Sequence, residues 1–285
     1  MPPSDLHRID GLPVVRQRLQ SVGDCLVQFR NSPKNSDALH DLRVACRRAE
    51  AALRLCRDLL PPQPAKWLRK QLRQLRQLSN ASRDNEVLRE WLKGQGGSFV
   101  RDFQKALKSE RDSERVQMVE FIEELLRGDR LADRTRRACL VHNDRTGERD
   151  HLLMAHRFLD DLFRFIQALP TRTTSPSELH LFRIASKRLR YAIECVCDIF
   201  PKAKFSSLQR ILRQIQERLG ELHDLDVRLS RLQQWGQSAG VPPPWQASTA
   251  QSQRLLKSWQ AWWRTVAWQS AVGSAVTEIL RLLSV

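Results

Sequence analysis

The chain has 285 residues, and its 48 Lys and Arg outnumber 32 Asp and Glu to give a formal net charge of +16. Its hydrophobic content of 41% is enough for a folded core, but no stretch reaches the roughly eighteen uninterrupted apolar residues of a transmembrane helix, which excludes an ordinary membrane-spanning protein. The charge indicates an anionic partner, and nucleic acid, anionic lipid and inorganic polyanions all fit it.

Apolar residues recur at helical spacing along almost the whole chain, and no sustained strand alternation occurs. In the first half the sequence predicts helices at 12–29, at 37–60, from after the prolines at 61–64 to about 79, from about 84, and at about 98–127. Loops rich in helix breakers separate the first two helices of each half, at 31–36 and 170–176. The second half repeats the scheme, and its last helix is predicted from about 246 to the C-terminus.

The helices belong to an internal repeat with an offset of 140 residues. His40-x-x-Arg43-Val44-x-x-Arg47-Arg48 returns as His180-x-x-Arg183-Ile184-x-x-Lys187-Arg188, and Leu72-Arg73-Gln74-Leu75 returns as Leu212-Arg213-Gln214-Ile215. We therefore predict an all-α domain over 1–285, in which the halves 12–140 and 150–285 form two helical bundles about a pseudo-twofold axis and contribute to one continuous site.

The positive charge is concentrated in the repeated segments. Residues 40–76 contain ten Lys and Arg against three Asp and Glu, and residues 180–216 contain eight against two, which gives +7 and +6. Arginine side chains can hold two phosphate oxygens at once, and lysine adds a mobile charge. This pattern favours a phosphate-rich partner.

Each basic helix has a predicted core stripe with a basic stripe one residue further on. The core positions are Leu42, Cys46, Ala49, Leu53, Cys56 and Leu60 in the first copy, and Phe182, Leu189, Ile193, Val196 and Phe200 in the second. The basic positions are Arg43, Arg47, Arg54 and Arg57, and Arg183, Lys187 and Arg190. We expect the basic stripes to line grooves between helices. The alternative is that carboxylates neutralise them within the fold, with Glu50, Glu194, Asp84 and Asp224 as the candidates.

Two roles stay open for His40 and His180, each one turn before a basic stripe. They either hydrogen-bond within their own bundle or donate to the same anion as Arg43 and Arg183. Asp84 and Asp224 are interpreted as structural residues that orient arginines or cap a helix.

These motifs, together with Leu219-Gly220-x-Leu222-His223-Asp224-x-Asp226-Val227, resemble those of the CHAD domain, the conserved histidine α-helical domain. The resemblance covers about residues 12–285. It implies two related helical bundles around a central basic cavity that binds inorganic polyphosphate. Two departures stand out: Glu86 replaces the usual Asp, and His223 replaces the usual Arg before Asp224.

The resulting hypothesis is a stand-alone module that binds polyphosphate without catalysis, cofactor or metal. Its polyphosphate-binding residues are predicted to be His40, Arg43, Arg47, Arg48, Arg54, Lys70, Arg73, His180, Arg183, Lys187, Arg188, Arg190, Tyr191, Arg210 and Arg213. We expect a cytoplasmic location, with polyphosphate granules as a candidate partner. The six cysteines without a Cys-x-x-Cys pair, and a first segment unlike a signal peptide, favour that compartment.

The sequence also suggests three other interpretations. Nucleic acid would need the same positive charge, but exposed aromatic rings for base stacking are missing near the basic stripes, where Tyr191 is the one aromatic ring. The dipeptides His40-Asp41 and His223-Asp224 suggest a metal-dependent phosphohydrolase, but no Asp follows Asp226 to complete the second metal site. The tryptophans at 259, 262, 263 and 268 fit a terminal core helix better than an interfacial membrane helix. That core stripe is predicted at Leu255, Trp259, Trp262, Val266, Gly273, Val276, Leu280 and Leu283.

Overall fold

A computed structural model of the chain describes residues 11–93, 98–140, 147–170, 175–197, 205–239 and 246–283. Within these ranges the chain is helical with no strand, which confirms the all-α prediction. The helices are α1 (Gly11–Asn31), α2 (Ser36–Leu55), α3 (Pro62–Leu92), α4 (Ser98–Leu126), α5 (Arg130–Ala138), α6 (Gly147–Gln167), α7 (Pro176–Val196), α8 (Ser206–Ala239), α9 (Gln246–Trp263) and α10 (Trp268–Leu283).

The two basic helices start at side-chain caps. The Asn35 side chain accepts hydrogen bonds from the backbone N–H groups of Asp37 and Ala38, at 2.8 and 3.3 Å, and so begins α2. At α7, the Glu178 carboxylate accepts from the Ser175 N–H at 2.6 Å, while the Ser175 hydroxyl accepts from the Glu178 N–H at 3.3 Å. This reciprocal capping box fixes the first turn of α7.

The described residues fall into two compact units. The first unit holds 11–158, with its gaps, and 194–197; in it α1 packs on α2, α2 on α3 and α3 on α4, while α5 contacts α3 and α1. The second unit holds 159–193 and 205–283, and in it α8 contacts both α9 and α10. The Phe182 ring of α7 lies in that unit's core, with centroids 5.4 Å from the Phe165 ring and 6.4 Å from the Trp259 ring.

The predicted core stripes of the two basic helices are confirmed wherever the structure describes them. All six positions in the first copy are buried, and so are Phe182, Leu189, Ile193 and Val196 in the second. Phe200 lies outside the described residues, as do Pro201 and the Gly240–Pro244 loop. The burial also repeats at the 140-residue offset, since Leu72 and Leu75 in α3 and their counterparts Leu212 and Ile215 in α8 are all buried.

Three predicted helix boundaries are wrong. No break occurs near residues 79–84 or 219–224, because α3 and α8 each run through as one helix. The second helix ends at Leu55, ahead of Pro61, and is followed by a short 3-10 turn at Arg57–Leu59. A further helix, α5, follows Gly128 and Asp129, whose φ angles of 59° and 55° lie in the left-handed region and reverse the chain.

The C-terminal segment is also divided differently from the prediction. A break after Trp263 separates α9 from α10, so one stripe cannot run through both. Trp259 is buried as predicted, but Gly273 and Leu280 are exposed, and α10 buries Ala271, Val272 and Ala275 instead. Among the described residues no helix is long and apolar enough to cross a bilayer.

Candidate functional site

Two side-chain contacts define how the basic helix α2 meets α3. Arg43 Nη2 donates to Asn80 Oδ1 at 3.1 Å, and Arg76 Nε donates to Glu50 Oε1 at 3.2 Å. The later residue of α2 is paired with the earlier residue of α3, so the two helices are antiparallel. The four residues therefore mark the facing edges of α2 and α3.

Further basic residues lie on the α2 edge. Arg47 follows Arg43 by four residues and precedes Glu50 by three, and Arg54 follows Glu50 by four, which is the spacing of one helix face. His40 lies one turn before Arg43 and is exposed, whereas Arg47 and Arg54 are half-buried. The basic stripe predicted from the sequence thus borders α3.

Two more cations lie within two turns of Arg76 on α3. Arg73 precedes Arg76 by three residues and Lys70 precedes Arg73 by three, and both side chains are exposed. We call the combined set the first basic face; it consists of His40, Arg43, Arg47, Arg54, Lys70, Arg73 and Arg76.

Carboxylate neutralisation of the first basic face is incomplete. Glu50 pairs with Arg76. Arg47, Lys70 and Arg73 have no ion-pair partner within the part of the chain that the structure describes. Arg43 and Arg47 are separated by one turn, and such like-charge pairs destabilise a helix by about 0.2–0.5 kcal/mol. A bound anion would relieve this repulsion.

The second unit contains the equivalent helix pair, α7 and α8. Gln216 Nε2 donates to the Ser186 carbonyl at 3.4 Å, and the His180 and His223 rings lie with centroids 5.8 Å apart. Subtracting 140 from the two histidine numbers gives positions 40 and 83, one turn from Arg43 and Asn80 on α2 and α3. Both helix pairs are therefore antiparallel in the same register.

The second basic face follows from that register. Arg183, Lys187 and Arg190 are half-buried along α7, and Arg213 precedes Gln216 by three residues on the α8 edge. The second basic face consists of His180, Arg183, Lys187, Arg190, Arg210 and Arg213. Arg210 and Arg213 are exposed, and no ion-pair partner for them occurs among the described residues.

His223 lies beside this face without adding charge. Burial, and then the positive charge of Arg183, lower the pKa of His223 to about 4. The imidazole is therefore neutral at neutral pH, where an arginine would be cationic. This is the electrostatic consequence of the sequence departure at position 223.

Three predicted binding residues lie in other environments. Arg48 Nε is 2.8 Å from Glu194 Oε2, and Arg188 Nε donates to the buried carboxylate of Asp161. Tyr191 is buried, with the Arg190 guanidinium 4.3 Å from its ring centroid. Glu194, one of the candidate carboxylates, thus pairs with Arg48, which lies outside the basic stripes. The roles of these three residues in polyphosphate binding, and the single cavity shared by both halves, stay predictions.

Several residues of these edges were not predicted from the sequence. Arg76 belongs to the first basic face and Asn80 bonds to Arg43 of that face, while Asp226 on α8 lies beside the second. The helical spacing of Arg69, Arg73, Arg76 and Asn80 was a usable signal, but only the packing shows which edge meets α2. Among the described residues no group of three or more His, Cys, Asp or Glu is arranged to hold a metal ion.

Comparison with known families identifies this arrangement. The model of the CHAD domain matches residues 16–233. This chain belongs to the CHAD family. The match covers both basic faces and ends before α9, so the tryptophan-rich α9 and α10 lie beyond it.

Two solved structures share the CHAD fold. The crystal structure of the CHAD domain from the plant Ricinus communis has a TM-score of 0.62 and 20% sequence identity, covering 92% of this chain and 89% of that chain. PptA from Streptomyces chartreusis has a TM-score of 0.57 and 16% identity, covering 96% of this chain and 98% of that chain. No curated protein sequence matches the chain significantly. The fold is therefore similar to both structures although the sequences have diverged widely.

Proposed function

We propose that this CHAD chain binds inorganic polyphosphate through its two basic faces and does not hydrolyse it. One observation carries the proposal: Arg47 lies on the α2 edge that borders α3, Lys70 and Arg73 lie exposed on α3 within two turns of Arg76, and no carboxylate among the described residues pairs with these three cations. Membership of the CHAD family supports the same ligand, which the sequence resemblance also implies.

Phosphate oxygens fit the chemistry of both faces. Arginine offers a planar fork that takes two oxygens, and exposed Lys70 adds a mobile ammonium group. The residues recur at one-turn intervals along the helix edges, so a linear polyanion lying along an edge would meet several of them in turn. Repeated anionic groups on one chain are the property that distinguishes polyphosphate from single phosphate ions.

The same charges argue against metal-dependent hydrolysis at the first basic face. Arg43 and Arg47 lie within one or two turns of His40 and would repel a divalent cation from the His40-Asp41 pair. The nearby carboxylate of Glu50 is engaged by Arg76. We therefore assign the chain a binding role.

Nucleic acid remains the competing anionic partner. Base stacking would favour it, but Tyr191 is buried beneath Arg190 and offers no exposed ring at the second basic face. Backbone phosphates alone would still bind, so competition at matched phosphate concentration separates the two ligands.

Binding of inorganic polyphosphate of graded chain length, followed by calorimetry with single-stranded DNA as competitor, tests the proposal. We expect affinity to rise with chain length, DNA to compete poorly, and no phosphate to be released during incubation. DNA binding tighter than polyphosphate would replace the proposal by its rival. Phosphate release that disappears in an Asp224→Asn variant would make the chain an enzyme instead.

We further propose that the chain works in the cytoplasm, on polyphosphate granules. All six cysteines are free thiols, and five of them are buried, which fits a reducing compartment. A fluorescent fusion should colocalise with polyphosphate-stained granules. Diffuse fluorescence in cells that contain such granules would contradict granule binding.

A further inference from the structure

A cavity of about 350 Å³ lies beside the second basic face, between α7, α8 and α9. Its polar lining includes His180, Arg183 and His223, together with Asp226, Ser230, Gln233 and Ser252. Its apolar side is formed by five leucines, which are Leu179, Leu219, Leu222, Leu229 and Leu256. Cavities of this size that combine apolar walls with a few polar groups are typical of small-molecule sites.

Three of the five leucines are particular to the second half of the repeat, whereas Leu179 corresponds to Leu39 and Leu256 to Val116. In the first half, position by position, Ser79 takes the place of Leu219, Ser82 that of Leu222, and Arg89 that of Leu229. A bare polyphosphate chain would need no leucines, because apolar walls desolvate anions without compensating them. The divergence therefore points to a ligand with an uncharged, apolar part.

The helix packing supports this position-by-position comparison. In the first unit two contacts join α3 to α4. Asn85 Nδ2 lies 3.1 Å from both carboxylate oxygens of Glu114, and Glu86 forms an ion pair with Arg115. In the second unit the Ser252 hydroxyl of α9 lies 3.4 Å from Asp226 Oδ1 of α8. Position 226 corresponds to Glu86, so the same part of the long helix faces its neighbour in both units. Where the first unit has charged pairs, the second has the cavity.

The polar groups around the cavity match the two ends of a nucleotide. Arg183 and, one turn further on α7, Lys187 offer positive charge to phosphates, while the leucines can cover the faces of a flat ring. Asp226, Ser230, Gln233 and Ser252 offer hydrogen-bonding groups for the edge of a base or the hydroxyls of a sugar.

We propose that the cavity of the second unit binds a nucleoside polyphosphate, with the nucleoside among the leucines and the phosphates at Arg183 and Lys187. The proposal shares these two cations with the second basic face but does not rest on polyphosphate binding, because the leucines and hydrogen-bonding groups recognise the nucleoside.

The test compares ATP and GTP with inorganic tripolyphosphate by calorimetry, using the whole chain in buffer without divalent cations. All three carry three linked phosphates, and tripolyphosphate carries the highest charge, so tighter nucleotide binding cannot come from charge. We expect at least one nucleotide to bind about tenfold more tightly than tripolyphosphate, since shape-matched apolar contacts commonly contribute that factor. The double variant Leu229→Ser, Leu256→Ser should lose about that factor for the nucleotide and keep its tripolyphosphate affinity.

Both leucines are half-buried, so the double variant keeps the fully buried core intact. Leu181→Ser is the matched control, because Leu181 is 59% exposed on α7 and does not line this cavity; it should leave all affinities unchanged. Equal affinities for nucleotides and tripolyphosphate, or an unchanged nucleotide affinity in a folded double variant, would overturn the nucleotide site and leave polyphosphate binding standing. Nucleotide binding without any binding of tripolyphosphate or longer polyphosphate would support the nucleotide site and contradict polyphosphate binding.

Discussion

Replacing the three cations without carboxylate partners on the first basic face should weaken the salt dependence of polyphosphate binding by a predictable amount. The variant is Arg47→Gln, Lys70→Gln, Arg73→Gln, and glutamine has nearly the helix propensity of the residues it replaces. Each phosphate contact on single-stranded nucleic acid contributes about 0.7 to the slope of log affinity against log salt, and we apply the same value to linear polyphosphate. Three lost contacts should reduce that slope by about 2.

The slope change corresponds to a measurable difference in affinity. Between 50 and 200 mM salt, a slope reduced by about 2 means that the variant's affinity falls about 16-fold less than that of the wild type. The unfolding free energy should stay unchanged or rise by about 0.2–0.5 kcal/mol, because the repulsion between Arg43 and Arg47 is removed. Fluorescence anisotropy with labelled polyphosphate across a salt series measures the slopes, and urea denaturation checks the fold.

The matched control removes the same charge from another surface of the first unit. Arg101→Gln, Lys105→Gln, Lys108→Gln changes three exposed cations on α4, and the ion pair of Lys105 with Asp102 is too exposed to matter much for stability. This control should keep most of the wild-type slope. If both triple variants lost the same slope, polyphosphate would respond to net charge alone and the assignment of a local basic face would be refuted.

Two other predictions concern stability. Glu86→Leu should lower the unfolding free energy by about 3–5 kcal/mol in urea denaturation, because it leaves Arg115 buried without its carboxylate. Adding Arg115→Met should restore most of that lost free energy. A cost below about 1 kcal/mol for Glu86→Leu alone would mean that the ion pair is not buried in solution. The pKa of His223 is lowered from 6.5 to about 4, so as pH falls through this range the unfolded chain binds a proton that the folded chain does not, and stability decreases. His223→Gln should remove this part of the decrease between pH 7 and pH 4.5, and parallel stability profiles for the two proteins would contradict the assignment.

Helix cores were predictable from the sequence because their signal is local. The 4-3-4 spacing from Leu42 to Leu60 identified the buried stripe of α2, and the repeat transferred it to Phe182 and Leu189 in α7. The basic stripe followed from the same geometry, since one residue is a rotation of about 100°. Which side of that stripe meets α3 depended on the contacts of Arg43 and Glu50.

Helix ends were less predictable because tertiary contacts override local preference. Polar residues near Ser79 suggested a boundary, but Ser82 and Asn85 are buried, and Asn85 bonds Glu114 on α4, which keeps α3 helical. The break after Trp263 carries no Gly or Pro signal. There the Thr265 hydroxyl donates to the Trp262 carbonyl at 2.7 Å and competes with the helical backbone.

The side-chain partners of the predicted binding residues were the least predictable part. Arg48 pairs with Glu194, 146 residues away, and nothing in the local sequence marks that pair among the other candidate carboxylates. The leucine-lined cavity was missed for a related reason. Leu219 and Leu222 look like ordinary core residues in the sequence. Their difference from the first half becomes apparent only when they are seen to line the cavity and are compared with Ser79 and Ser82 at the equivalent positions.

Because α8 is unbroken, it fixes the distances between the side chains along its length. Arg213 and His223 lie ten positions apart on one continuous helix, which sets about 15 Å between them along its axis. A helix without an interior hinge cannot shorten this distance to suit a small ligand. A molecule that contacts both residues must therefore be long enough to span this distance. A shorter molecule can contact only one of the two residues at a time.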